Sequence, residues 1–237
     1  NADGLSYFEI GPVFIPVEGQ QLPEEPHHLT IGMWGKKRES GWSGEKPGDV
    51  DFFDLKGVLE SLMNGLHLEG VAYDASREIP TFHPGKSARL MVGETEIGVM
   101  GEVHPLVRQN YDFMEGAVLA AELYLDEMMT LVNKGFKVNS ISNFPAMVED
   151  IALIVDDEVP ARRVEELIWR AGGKLLKKVS LFDLFRGEKI GAGKKSLAYQ
   201  LTYQAFDRTL SVADAAAIRK KIVKTLSYEI GAVLRDS

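Results

Sequence analysis

The hydrophobic pattern of the chain changes character near its middle. In the first half, strand-like runs cover residues 5–14, which include Tyr7-Phe8-Glu9-Ile10-Gly11-Pro12-Val13-Phe14, and residues 29–34. Runs at 89–92 and 97–103 flank Gly93-Glu94, which reads as a hairpin turn, and 118–125 is a further strand. Between them Asp51-x-x-Asp54 opens a helix that runs to about Leu66. Phe52, Leu55, Val58, Leu59, Leu62 and Leu66 are predicted on its buried side. Strands joined by hairpins, with helices laid on them, give an α+β class.

The second half repeats a different rhythm. Residues 150–156 put Ile151, Leu153 and Val155 on one strand face. Pro160 suits the first turn of a helix. Ala161, Val164, Leu167, Ile168 and Ala171 follow at helical spacing, and Gly172-Gly173 stops them. Residues 175–186 are strand-like. After a glycine-rich basic loop at 186–194, the chain alternates strictly. Leu197, Tyr199, Leu201 and Tyr203 point one way, and Ser196, Ala198, Gln200, Thr202 and Gln204 the other. Ser211 and Asp214 have the spacing of a capping box. Ala215, Ile218, Ile222, Leu226 and Ile230 form the helix stripe behind them, and 232–234 closes as a short strand. This βαββαβ order is the ferredoxin-like split pattern. Its two helices must cover the apolar face, which leaves the Ser196–Ala198–Gln200 side open. Small polar residues there let a flat partner approach and still find hydrogen bonds. Single-stranded RNA is one such partner, and an idle solvated face is the alternative.

Charge sharpens the division. The 237 residues carry a net −8. Residues 1–136 hold 10 basic and 22 acidic side chains, a balance of −12, whereas 137–237 hold 17 and 13, a balance of +4. The change falls in Asn133-Lys134-Gly135-Phe136-Lys137-Val138-Asn139-Ser140, a polar stretch that reads as a linker. Two domains, 1–136 and 137–237, are therefore expected. The acidic one repels a phosphate backbone and the basic one can meet it. Cysteine is absent, which excludes disulfides, thiolate-held metals and thiol catalysis and fits a reducing compartment. No apolar run approaches the roughly 20 residues of a membrane-spanning helix. The chain opens on Asn1-Ala2 rather than Met, with no leader pattern, and reads as a piece of a longer protein.

Candidate chemistry is sparse. Glu102 and His104 lie two apart on a strand, hence on one face, and with His83 they could form a metal site. Alternatively, His83-Pro84 and His104-Pro105 each end a strand, with the imidazole bonded to backbone. The second reading is adopted, so no metal ligand and no catalytic residue is assigned. The loop before Ser196 is not a phosphate-cradling P-loop. Five residues separate Gly187 from Gly193, Lys194 is followed by Lys195, and a strand comes next instead of a helix. Its charge remains. Arg186, Lys189, Lys194, Lys195 and the later Arg208 are candidate RNA-phosphate contacts. Gln200 and Gln204 are candidates for base or sugar hydrogen bonds, because an amide both donates and accepts.

Nine strings, in order, carry a resemblance. They are Phe8-Glu9-Ile10-Gly11-Pro12-Val13-Phe14, Asp51-Phe52-Phe53-Asp54-Leu55-Lys56-Gly57, His83-Pro84-Gly85-Lys86-Ser87-Ala88, Gly101-Glu102-Val103-His104-Pro105, Phe144-Pro145-Ala146, Asp150-Ile151-Ala152-Leu153, Leu181-Phe182-Asp183-Leu184-Phe185-Arg186-Gly187-Glu188, Gly193-Lys194-Lys195-Ser196-Leu197-Ala198-Tyr199 and Asp207-Arg208-Thr209-Leu210. The set resembles the C-terminal third of the bacterial phenylalanyl-tRNA synthetase β subunit. The resemblance implies an α+β chain: a class II synthetase-like antiparallel sheet module, then a ferredoxin-fold anticodon-binding domain. It further implies a cytoplasmic holoenzyme of two α and two β chains that joins phenylalanine to its tRNA with ATP and Mg²⁺. Catalysis would sit in the α subunit. The β module would be inactive and pack on α, and the last domain would meet the anticodon region of tRNA(Phe). No cofactor is implied for this part itself. Glu149 stands where the family usually has Arg, which removes that position from the binding set. A self-sufficient synthetase would need phosphate-gripping arginines, yet residues 7–14 hold none and no Gly-x-Gly-x-Glu-Arg string occurs. A small-ligand regulatory domain is the remaining alternative, since ferredoxin-like folds host many functions.

Overall fold

Antiparallel pairing dominates both halves of the chain. The computed structural model describes residues 3–38, 42, 47–111, 115–133, 135, 141–187 and 190–235. The chain divides into two units, Asn1–Lys137 and Val138–Ser237, each with its own apolar core. Most of the polar stretch 133–140, and Lys189 among the RNA candidates, lie outside the described residues.

In the first unit, β1 (Gly4–Pro12), β2 (His27–Gly35), β3 (Val71–Ala75), β4 (Phe82–Val92), β5 (Thr95–Val103) and β6 (Val118–Tyr124) form one sheet. Its order is β1-β2-β6-β5-β4-β3, with every neighbouring pair antiparallel. Helix α1 (Phe52–Gly65) starts as its sequence dictates. Asp51 accepts from the Phe53 and Asp54 amides at 2.8 and 3.2 Å, and Asp54 accepts from the Asp51 amide at 2.7 Å. The reciprocal box satisfies donors that the helix itself leaves without partners. Leu55, Leu59 and Met63 are its buried positions. Val58, expected inside, is exposed. The contact seam is a narrow i, i+4, i+8 line, and Met63 continues it.

A short helix α2 (Pro105–Arg108) follows β5, and α3 (Leu125–Leu131) leaves β6 without a loop and buries Met128. Leu29, Ile31, Leu119, Ala121 and Leu123 belong to the core that α1 and α3 close. Each such leucine or isoleucine contributes about 1.5–3 kcal/mol by leaving water. At Gly98 the φ is +157° and a Cβ would stand 2.4 Å from the Glu122 carbonyl, so the β5–β6 approach requires glycine. The helix layer stops short of β1. Phe8 and Ile10 pair with the buried Ile31 and Leu29, yet they are 69% and 56% exposed.

The second unit contains β7 (Met147–Asp156), α4 (Ala161–Gly172), β8 (Leu176–Phe185), β9 (Lys194–Tyr203), α5 (Val212–Ile230) and β10 (Val233–Leu234). The sheet order β10-β7-β9-β8 is the ferredoxin-like arrangement. Ile151, Leu153, Val155, Leu197, Tyr199, Leu201 and Tyr203 share a core with Val164, Leu167 and Ile168 of α4 and with Ile222 and Leu226 of α5. The Tyr199 hydroxyl donates to the Ala161 carbonyl at 3.1 Å and ties the sheet to the start of α4. Ser211 and Asp214 form the expected capping box at α5, and Gly231 ends that helix at φ +63°. A bulge interrupts β8. Leu181 faces Tyr199 and Asp183 faces Ala198, which leaves Phe182 as the extra residue.

Candidate nucleic-acid interface

Because α4 and α5 cover one face of the second sheet, the alternate residues of its strands form the other. Asp150 and Ala152 of β7, Ala198 and Gln200 of β9, and Lys178 and Phe185 of β8 alternate with the core positions. Gln200 donates from Nε2 to Asp150 Oδ1 at 3.2 Å, so a donor–acceptor pair lies on the open face with capacity to spare.

The remaining sequence candidates divide. Arg186 is exposed at the end of β8, and its Nε donates to Asp157 at 2.8 Å. Lys194 is exposed and meets Asp156 at 3.1 Å. These pairs are solvated and can exchange a carboxylate for a phosphate at little cost. Lys195 must be withdrawn from the set. It falls on the parity of Leu197, is only 7% exposed, and donates to the Asp157 carbonyl at 2.7 Å. Burial lowers its pKa from the usual lysine value, with Asp157 opposing that shift. Gln204 is more constrained than Gln200. It lies one residue beyond β9, and its amide donates to the Phe144 carbonyl at 2.7 Å. Arg208 is a capping residue of α5. Its two terminal nitrogens hold both Asp214 oxygens at 2.9 and 3.1 Å, and that pairing drives its pKa upward.

Sequence reasoning missed a groove of about 360 Å³ at the part of β7 that β10 does not cover. Asp150, Ala152, Ala198, Phe182, Arg219 and Arg235 line it. Phe182 reaches it because the bulge adds one residue to β8. The Arg235 guanidinium lies 5.9 Å from the centre of the Phe185 ring. Lys177, Lys178, Lys220, Lys221 and Lys224 form no ion pair among the described residues, so free positive charge lies on β8 and α5 as well as at the loop. Lys177 instead sits 4.8 Å from the Phe206 ring centre.

The first unit offers a contrast. Arg89 is held by Glu96 at 2.6 Å, and His28 meets Glu122 at 2.7 Å. His83 accepts from the Gly85 amide at 3.0 Å and His104 from the Leu106 amide at 3.1 Å, while Glu102 pairs with Lys86 at 2.5 Å. These imidazoles shape backbone, and no group of three or more His, Asp or Glu suited to a metal occurs among the described residues.

Comparison with known proteins decides the family. Residues 1–125 match the model described as phenylalanyl tRNA synthetase beta chain CLM domain. Residues 142–235 match the ferredoxin-fold anticodon binding domain. The chain belongs to the phenylalanyl-tRNA synthetase beta chain family. Relatives named phenylalanine–tRNA ligase beta subunit include that of Clostridium tetani, 42% identical over 96% of this chain. Those of Clostridium acetobutylicum and Symbiobacterium thermophilum are each 39% identical, over 99% and 98% of it. The chain spans 27%, 28% and 26% of these three relatives' lengths. Within the family's terms, the sheet with the open face is the anticodon-binding fold, and the six-stranded sheet is the beta-chain module that precedes it.

Proposed function

We propose that this chain is the part of a phenylalanine–tRNA ligase β subunit that binds the anticodon region of tRNA(Phe) through residues 138–237. The observation that carries the reading is the one-sided sheet. One face is sealed by two helices. The other presents small residues and exposed aromatic rings, and a groove at the β7 edge adds two guanidinium groups. Aromatic and apolar floor receives bases, and cations at its rim receive phosphates. The first unit, in this reading, is a non-catalytic module that packs against a catalytic α subunit in a cytoplasmic assembly of two α and two β chains. ATP and Mg²⁺ would act on α.

The test is fluorescence anisotropy of a labelled anticodon-arm hairpin from a phenylalanine tRNA, titrated with the chain across a salt series. Binding that weakens with salt and favours this loop sequence over a scrambled one supports the reading. Absence of any salt-dependent binding overturns it.

A further inference from the structure

Two arginines line the groove beside β7, and Arg219 comes from a helix rather than from the sheet. It follows Ile218, which packs against the core, and precedes the fully buried Ile222 by one turn's reach. Its backbone is therefore fixed. Its Nη1 donates to Glu149 Oε1 at 2.7 Å. Glu149 belongs to β7 and is the more buried partner, with a side chain 22% exposed against 44% for Arg219. Glu149 Oε2 and the Tyr203 hydroxyl are both buried against one another, and neither has a further hydrogen-bond partner. Burial pushes that hydroxyl's pKa up to about 12, with the Glu149 charge adding to the shift.

An ion pair this exposed to solvent contributes little to stability. What the arrangement does provide is orientation. Glu149 stands behind the guanidinium and leaves its outward N–H donors for the groove. A guanidinium has five such donors, and this ion pair uses one. Small apolar residues, Ala152 and Ala198, form the adjoining surface with Phe182.

We propose that Arg219 is a phosphate-binding residue of the RNA groove and that Glu149 is its positioning residue. This rests on the reading that residues 138–237 bind RNA. The ligand is one phosphodiester of a single strand, with its base laid toward Phe182. Arg235 closes the groove from the chain's C-terminal side.

The experiment uses the 237-residue chain and the same anticodon-arm hairpin, with circular dichroism and thermal melts on every variant. Arg219→Ala weakens binding about tenfold for all loop sequences alike and flattens the log–log salt slope by about 0.7. Arg219→Lys keeps the slope but regains only part of the affinity, because the planar fork is lost. Glu149→Gln is nearly isosteric and removes a negative charge. Simple electrostatics then predicts tighter binding. Positioning predicts weaker binding with an unchanged slope. Tighter binding by Glu149→Gln, or unchanged affinity and slope in folded Arg219→Ala or Arg219→Gln, overturns the inference and leaves the RNA reading standing. Failure of the unaltered chain to bind the hairpin overturns both.

Discussion

Lys194 and Lys195 are neighbours in sequence and opposites in environment. Strand parity sends the first outward to Asp156 and the second inward to the Asp157 carbonyl. Lys194→Ala should flatten the salt slope of RNA binding by about 0.7, and Lys195→Met should leave it unchanged. Measured slopes for the two single variants check this directly. Asp214 has a different consequence. The Arg208 guanidinium, and then the Ser211 amide and hydroxyl, hold its carboxyl well below the usual carboxylate range. Its ionised form therefore favours the fold. That contribution is complete above the unfolded carboxyl's pKa of about 3.9 and is lost as pH falls toward the folded value. Urea midpoints between pH about 5 and 2 should fall more steeply for the unaltered chain than for Asp214→Asn. The two buried tyrosines make a further pair. Tyr199→Phe loses a bond to Ala161 and should cost about 1 kcal/mol, whereas Tyr203→Phe loses only a contact with the Glu149 carboxylate that falls short of a well-formed hydrogen bond and should cost less. Chemical denaturation of both variants measures the difference.

Elements with local signals are the ones the sequence predicts well. The capping boxes of α1 and α5 and the alternation of β9 are each written within a few residues. Helix α3 has no such mark, because its N-cap is Tyr124 and no side chain caps it. Strand β3 is five residues long, and only its pairing with β4 defines it. The candidate site was legible as a face but not as a set of contacts. Parity identified Gln200, yet no local rule reveals that Arg208 is consumed by Asp214 or that Arg219 turns toward a groove. Those outcomes depend on partners brought in by the fold. Strand β1 carries its own liability, since it is an edge with apolar side chains exposed on both faces. Phe8→Lys should leave the far-UV spectrum unchanged and reduce concentration-dependent association of the isolated chain, read by sedimentation velocity.

At the scale of the molecule, separate cores and opposite charge balances indicate separable work. The −12 of residues 1–136 and the +4 of residues 137–237 cancel in part when summed, so the whole-chain value of −8 conceals the RNA-facing portion. Residues 138–237 contain a complete core and all of the candidate RNA contacts. Produced alone, they should unfold cooperatively and bind the anticodon-arm hairpin with the salt slope of the full chain. Residues 1–137 should show no salt-dependent binding. A slope that differs between the 138–237 piece and the full chain would place phosphate contacts in the first unit.

The bulge in β8 gives that strand two phases of a single alternation. Leu181 before it and Leu184 after it both stand on the helix side of the sheet, at its exposed margin opposite Tyr199 and Leu197, although an odd and an even number separate them from Val179. Phe182 is the spacer that keeps both phases aligned. Removing most single residues from a strand inverts everything downstream, whereas removing this one restores a uniform repeat from Lys178 onward. The chain lacking Phe182 should thus fold with Leu184 on the same side of the sheet and melt close to the unaltered protein. It should also bind the hairpin more weakly, because the ring at the groove is gone. A strand can in this way gain a ligand-facing aromatic by insertion and lose it by deletion without rewriting its core.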